Sequence, residues 1–394
     1  MKNRFLKAVF SVIIAAGVLM LSGCYPTDKR VNEKEDESDI SSGSSENTHF
    51  DGSHFEYEGE NISVRFDIPG VPDELPSRIK LKEKMFDRQK VIELFFNGEA
   101  PVSEYIYGNE EYGQYTAQDG SKLTIEGNRI AYSNGKISTG EGGDARKFPV
   151  SYSNAVNACK EYNRDRYSIT GDELEGFPLQ GALDSAVELI SKLGITTCGE
   201  PQIYAFSLAS YEKMKHNETN MFNEEYPLTK DNEIYVFKFP QIIDEVELSD
   251  IRWVSVKDSV NEFGVPVGSS SIVVGVSKEG IFKFYTKAAY EAESEVLSTE
   301  PIKYDLSHAV AELEKYLDKV YFTKSKMVAI NNARVVYYPV ERNEADVVEF
   351  VPAWSFDGYV RDMEMEAIFE HVQFWDFSFI VNTDVGVVRE YSEV

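Results

Sequence analysis

From Asn61 to Ile68 the apolar residues Ile62, Val64, Phe66 and Ile68 alternate with Ser63, Arg65 and Asp67, which is the period of a half-buried strand, and Pro69-Gly70 closes it. A helix is predicted over 82–96. Between 112 and 138, Leu123, Ile125, Ile130, Tyr132 and Ile137 keep a period of two. Asp119-Gly120, Gly127-Asn128 and Asn134-Gly135 supply the positive φ that tight hairpins need, so this stretch reads as an antiparallel meander. Further on, a helix is expected over 154–163. A second, over 182–193, places Leu183, Ala186, Val187, Ile190 and Leu193 on one face and is capped by Gly194. Strands follow at 202–206, 234–239, 271–276 and 281–285. The last third repeats the order, with a helix over 308–320 striped by Val310, Leu313, Leu317 and Val320, then strands at 327–338, 347–356, 374–381 and 387–391.

The two series end in runs that align without a gap. Val274 to Tyr285 and Ile380 to Tyr391 each carry Ser or Thr (Ser277, Thr383), Gly three residues later (Gly280, Gly386), two apolar residues, a base (Lys283, Arg389) and a final Tyr. The fold class expected is α+β, built from repeated helix-plus-antiparallel-sheet units (α-β-β-β) behind a small N-terminal α+β domain. The divisions expected are 1–23, a lipoprotein signal peptide; 24–50, a disordered acidic tether; 51–148, the small domain with its meander; and 149–298 and 299–394, the two units.

In the last unit, a helix is followed by Ala333 to Pro339 (Ala-Arg-Val-Val-Tyr-Tyr-Pro), Phe350 to Phe356 (Phe-Val-Pro-Ala-Trp-Ser-Phe) and a Thr383-Asp-Val-Gly-Val-Val388 hairpin. Over roughly 300–392 this resembles PepSY-type domains and extracytoplasmic regulators of the YycH and YycI kind. The resemblance implies a non-enzymatic module, a helix on a curved sheet, that holds or modulates an envelope protein. It transfers no site residues, and those regulators carry a transmembrane anchor where this chain has another device.

That device is at the N-terminus. Lys2, Arg4 and Lys7 precede an apolar run from Ala8 to Met20, followed by Leu21-Ser22-Gly23-Cys24. The run, about 13 residues, is too short to span a bilayer and has the layout of a signal peptide. Leu-Ser-Gly-Cys resembles the lipobox of bacterial lipoproteins, Gram-positive type included, which implies lipidation of Cys24 and a body anchored to the extracytoplasmic face of the cell membrane. From Tyr25 to Phe50 the chain is rich in Asp, Glu, Ser and Asn, a tether with an end-to-end distance of about 28 Å.

Charge narrows the partners. The net charge of −27 becomes −30 once Lys2, Arg4 and Lys7 are cleaved away, so nucleic acid is excluded and an anionic membrane is repelled. The membrane partner is therefore the lipid on Cys24, and an envelope protein is the other partner expected. Cys159 and Cys198 remain, as a disulfide or as two buried thiols.

Catalytic patterns are scarce. His49, His54, His216, His308 and His371 are not paired on a helix face, with His216 expected in a polar loop, and no Cys-x-x-Cys stands anywhere, so no metal or cofactor is expected. Ser207 with Ser210, Ser255 with Lys257 and Ser325 with Lys326 lack a nucleophile elbow, and Gly140-Glu141-Gly142-Gly143 lacks the Lys of a phosphate loop. Fifty aromatic residues (23 Tyr, 24 Phe, 3 Trp) are mostly core, although Tyr105-Ile-Tyr107, Tyr337-Tyr338 and Phe374-Trp375 offer interface anchors. The function expected is non-catalytic binding or regulation of an envelope protein. The alternatives are a solute-binding lipoprotein of a transporter and a cell-wall hydrolase with a carboxylate site.

Overall fold

The computed structural model describes residues 48–50, 54–59, 62–67, 76–107, 112–135, 159, 163–217, 228–249, 255–256, 271–286, 288–297, 306–317, 326–344, 346–362, 374–382 and 386–392. All belong to one unit, Ser44–Val394. It is mixed α+β, mostly sheet, and among the described residues twenty strands form two sheets.

The first sheet opens with β1 (Thr48–Phe50), β2 (His54–Glu58) and β3 (Ile62–Asp67). The alternation read from the sequence holds in β3, where Ile62, Val64 and Phe66 are buried and Arg65 and Asp67 are exposed. β1 falls within the stretch expected as tether; its residues pair with β2, Phe50 opposite Phe55, so the sheet begins before Asn61. β3 then lies parallel to β17 (Lys326–Glu344), which is followed by β18 (Val347–Asp362), β19 (Phe374–Asn382) and β20 (Gly386–Ser392), each antiparallel to its predecessor. A helix, α5 (Leu306–Leu317), lies over this sheet. Its Leu306, Ala309, Val310 and Leu313 recur at helical spacing and join Phe66, Ile330, Trp354, Phe356 and Phe379 in one core.

The second sheet has the order β5-β6-β7-β8-β15-β14-β10-β9 and is antiparallel throughout. Its strands are β5 (Ser103–Tyr107), β6 (Tyr112–Thr116), β7 (Lys122–Glu126), β8 (Arg129–Ser133), β9 (Gln202–Phe206), β10 (Ile234–Phe239), β14 (Ile272–Ser277) and β15 (Gly280–Thr286). Five of the six residues of β10 are buried, because helices cover both faces. On one face α1 (Arg88–Phe95) and α3 (Leu179–Lys192) contribute Ile92, Phe95, Ala186 and Ile190. On the other, α2 (Asn163–Tyr167) and α4 (Leu208–Asn217) contribute Tyr167, Tyr211 and Met214. The divisions expected at 148/149 and 298/299 do not separate the sheets, since β8 pairs with β15 and β3 with β17.

Several elements depart from the sequence reading. Of the helix expected over 82–96, Arg88–Phe95 forms as α1, while Lys82 and Glu83 end a strand, β4 (Ile79–Glu83). Ile79, Leu81 and Glu83 alternate inward between β18 and β16 (Tyr290–Val296), so pairing overrides the helical propensity of Leu-Lys-Glu-Lys. α1 starts only where the Asp87 carboxylate accepts the Lys90 N–H at 3.2 Å. The strand expected after Asn134-Gly135 lies outside the described residues; the Gly135 N–H donates to Ser121 Oγ, and a Cβ there would lie 2.0 Å from the Gly120 carbonyl carbon. In α3, Val187 is 48 % exposed, the inward stripe being Ala182, Ala186, Leu189 and Ile190. The helix expected over 154–163 lies, apart from Cys159 and Asn163, outside the described residues.

The gapless match of the two hairpins does not carry over to their pairing. Lys283 stands opposite Gly275, whereas its counterpart Arg389 stands opposite Phe379, not Val381. A bulge between Gly275 and Val276 accounts for part of the offset, and a Cβ on Gly275 would meet the Phe282 ring at 2.4 Å.

Where the sheets meet, the chain passes from β10 into β11 (Ile242–Ile243) and β12 (Val246–Leu248), and from β15 into β16. Gln241 sits between these passages, fully buried. Its Oε1 accepts from Thr197 Oγ1 and the Tyr290 N–H, and its Nε2 donates to the Ala288 carbonyl. The Lys84 N–H donates to the Ala289 carbonyl, joining the exit of β4 to the same knot.

Candidate functional site

The site grows from the end of α1. Asn97 and Gly98 take left-handed φ of 52° and 80°, and the Gly98 N–H donates to the Glu93 carbonyl, closing the helix. Pro101 then leads into β5, the first strand of the second sheet. α1, eight residues and so about 12 Å long, covers only part of the meander. A cleft of ≈ 680 Å³ is left between helix, turn and strands. Ile92, Tyr115 and Ile125, all buried, form its floor, and Met85 stands at its mouth, 55 % exposed. Its charged residues are Arg88, Glu93, Glu99 and Glu104, three carboxylates against one guanidinium.

β5 borders this cleft. Glu104 pairs with Tyr115 and Ile106 with Gly113, so both point to the cleft side, while Tyr105 points to the other. Val102, Tyr105 and Ile106 are 59 %, 58 % and 43 % exposed. Of the seven large apolar side chains exposed among the described residues, three thus gather at one sheet edge. Sequence reading named Tyr105-Ile-Tyr107 as a possible anchor but assigned no strand there. Of the other anchors, Tyr337 and Tyr338 are core residues, and Phe374 and Trp375 lie in β19.

The remaining candidates are dispersed. Cys24, His371 and Gly140 to Gly143 lie outside the described residues, as do Lys257 and Ser325. Cys159 and Cys198 pack in different cores and form no disulfide with each other, and burial pushes the Cys198 thiol up to about 12. His49 is in β1 and His216 in α4, which was expected as loop; its buried Tyr211 and Met214, a single i,i+3 pair, make too narrow a stripe to read. His308 is exposed on α5. His54 lies 2.8 Å from Asp67 and 3.1 Å from Glu56, and hydrogen bonds to these carboxylates raise its pKa. Ser210 precedes Lys213 by one helical turn, yet its hydroxyl is fully buried and donates to the Ser168 carbonyl, which leaves it no approach to a substrate. Among the described residues no group of three or more His, Cys, Asp or Glu is placed to hold a metal, and no helix is long and apolar enough to cross a membrane.

A charged cluster that the sequence did not announce lies on β17 and β18. Arg334 Nε donates to Asp357 at 2.6 Å and its Nη1 to Glu247 of β12, while Ser378 donates to Asp357 at 2.7 Å and Ser355 also donates there. Burial alone would raise the Asp357 pKa, but the Arg334 charge and the two hydroxyls bring it below the ordinary value. The cluster clamps β12 to the sheet and holds its charges in internal pairs.

Comparison with known proteins adds the fold alone. No protein-family model and no curated protein matches the chain. A crystal structure of an uncharacterized protein from Eubacterium rectale ATCC 33656 is similar, with a TM-score of 0.55 at 14 % identity, over 87 % of this chain and 94 % of that one.

Proposed function

We propose that the protein is a membrane-anchored extracytoplasmic lipoprotein acting as a non-catalytic binding or regulatory module for an envelope protein. Lipid on Cys24 is its membrane contact, and the cleft beside β5 is its binding surface. The observation that carries this reading is the exposed apolar edge, Val102, Tyr105 and Ile106, beside a cleft with a hydrophobic floor. A soluble body gains nothing in stability from such an edge. We also read α3 with β9, β10, β14 and β15, interrupted by α4 and by β11 and β12, and α5 with β17 to β20, as descendants of one repeated α-β-β-β unit of the PepSY-like kind.

The test is a photo-reactive residue at Val102 in the lipidated protein in its native membrane. A discrete adduct with one envelope protein is expected, and none from the same residue at exposed Glu188 on α3. The same adduct pattern from both positions, or no adduct from Val102, refutes the reading. Replacing Cys24 with Ala is expected to move the protein into the medium; retention in the membrane fraction contradicts the anchor.

A second reading has one observation in its favour, since ≈ 680 Å³ falls within the range of small-molecule sites. A small solute that raises the melting temperature, with the gain abolished by Ile92→Trp in the cleft floor, would establish it.

A further inference from the structure

The two edges of the second sheet are treated differently. At β9 the edge is capped: Thr170 bridges to Ala205, whose N–H donates to the Thr170 carbonyl at 2.8 Å. At β5, among the described residues, the outer side carries no strand, and the strand pairs only with β6. Edges are commonly protected from addition by charged side chains, Lys above all, by Pro or by a bulge; Ser103-Glu-Tyr-Ile-Tyr107 has no Lys, Pro or bulge, and its one charge, Glu104, stands on the cleft side. It presents apolar side chains on both faces instead.

We propose that β5 is a template for strand addition. The occupant is an extended segment of a partner protein that alternates apolar with basic residues and pairs along Ser103–Tyr107 as a ninth strand of the sheet. The backbone of β5 supplies the hydrogen bonds and Val102, Tyr105 and Ile106 the apolar contacts. Charge selects the occupant. Glu93, Glu99 and Glu104 outnumber Arg88 around the cleft, so side chains descending from the added strand on that face are Lys or Arg. The same carboxylates, on a chain of net charge −27, oppose a second copy as occupant. About five residues, or about 17 Å, of partner would be engaged.

This proposal rests on the binding-surface reading above, and the experiment separates the two. Random twelve-residue peptides are selected for binding to the full-length lipidated protein in nanodiscs. Selected sequences are expected to alternate apolar residues with Lys or Arg. Their affinity is expected to fall at least tenfold when every second amide is N-methylated in one of the two registers. It is also expected to fall at least tenfold against Glu99→Lys/Glu104→Lys, two exposed changes that leave the melting temperature in place. Peptides without alternation, or insensitive to N-methylation in both registers, overturn strand addition; if Val102 still yields its adduct, the binding surface stands without it. Undiminished binding to the double lysine variant removes the charge rule and with it the occupant proposed. A dimer of the unliganded protein that competes with the peptides makes the occupant a second copy and overturns the proposal as well.

Discussion

The residue with the greatest local consequence is Gln241, an amide that reads in the sequence as an ordinary polar position after Pro240. It is fully buried and bonded to Thr197, Ala288 and Tyr290. Gln241→Leu keeps the volume but takes the acceptor from the Thr197 hydroxyl and the Tyr290 N–H, while the Ala288 carbonyl still accepts from Thr286 Oγ1, and a loss of about 3 kcal/mol is expected by urea denaturation. Arg334 is the second case. Its side chain is 35 % exposed, so water relieves part of the cost, and Arg334→Met is expected to lose about 2 kcal/mol, less than a fully buried pair would. Cys198 makes a chemical prediction: with its thiol pushed up to about 12, alkylation at pH 8 should run at least about tenfold slower in the native protein than in the unfolded chain. Gln241 and Arg334 were not legible beforehand, because each depends on which distant segments meet around a single side chain, and for Cys198 the sequence left disulfide and buried thiol both open. Cys24, whose reading is wholly local, was legible as a candidate.

At the scale of elements, legibility follows periodicity. β3, α3 and α5 were readable because each has a regular inward stripe, with Gly194 at φ of 67° marking the end of α3, and β10 because it is a short continuous apolar run. α5 also makes the simplest packing prediction. Leu313 is fully buried against the first sheet, and Leu313→Ala is expected to cost about 3 kcal/mol, measured by the midpoint shift in urea. The start of α1 was misplaced because Lys82, Glu83, Lys84 and Met85 have good helical propensity and lead into a true helix, and only the pairing of Lys82 with β18 and of Glu83 with β16 makes those two the end of a strand. β5 was missed for the opposite reason: a strand exposed on both faces has no inward stripe to read. The element that carries the binding surface was hidden by the property that makes it one.

At the scale of the molecule, the sequence led to the α+β class but not to the way the strands divide between two sheets, which depends on long-range pairings such as β3 with β17 and β8 with β15. The first sheet holds titrating groups in two settings with opposite pH behaviour. Asp357 is held below its ordinary value of 3.8, so its share of stability is complete at neutral pH and is lost as pH falls through the depressed value. His54 is held above 6.5 by Asp67 and Glu56, so its share is complete below pH 6.5 and is lost as pH rises through the elevated value. Urea denaturation of three proteins across pH separates the two. Against wild type, Asp357→Asn should show its deficit at neutral pH, narrowing below about pH 4. His54→Gln should show its deficit near pH 5.5, vanishing in mildly alkaline buffer. A deficit of either variant that stays constant with pH would mean that the side chain matters for packing and not for charge.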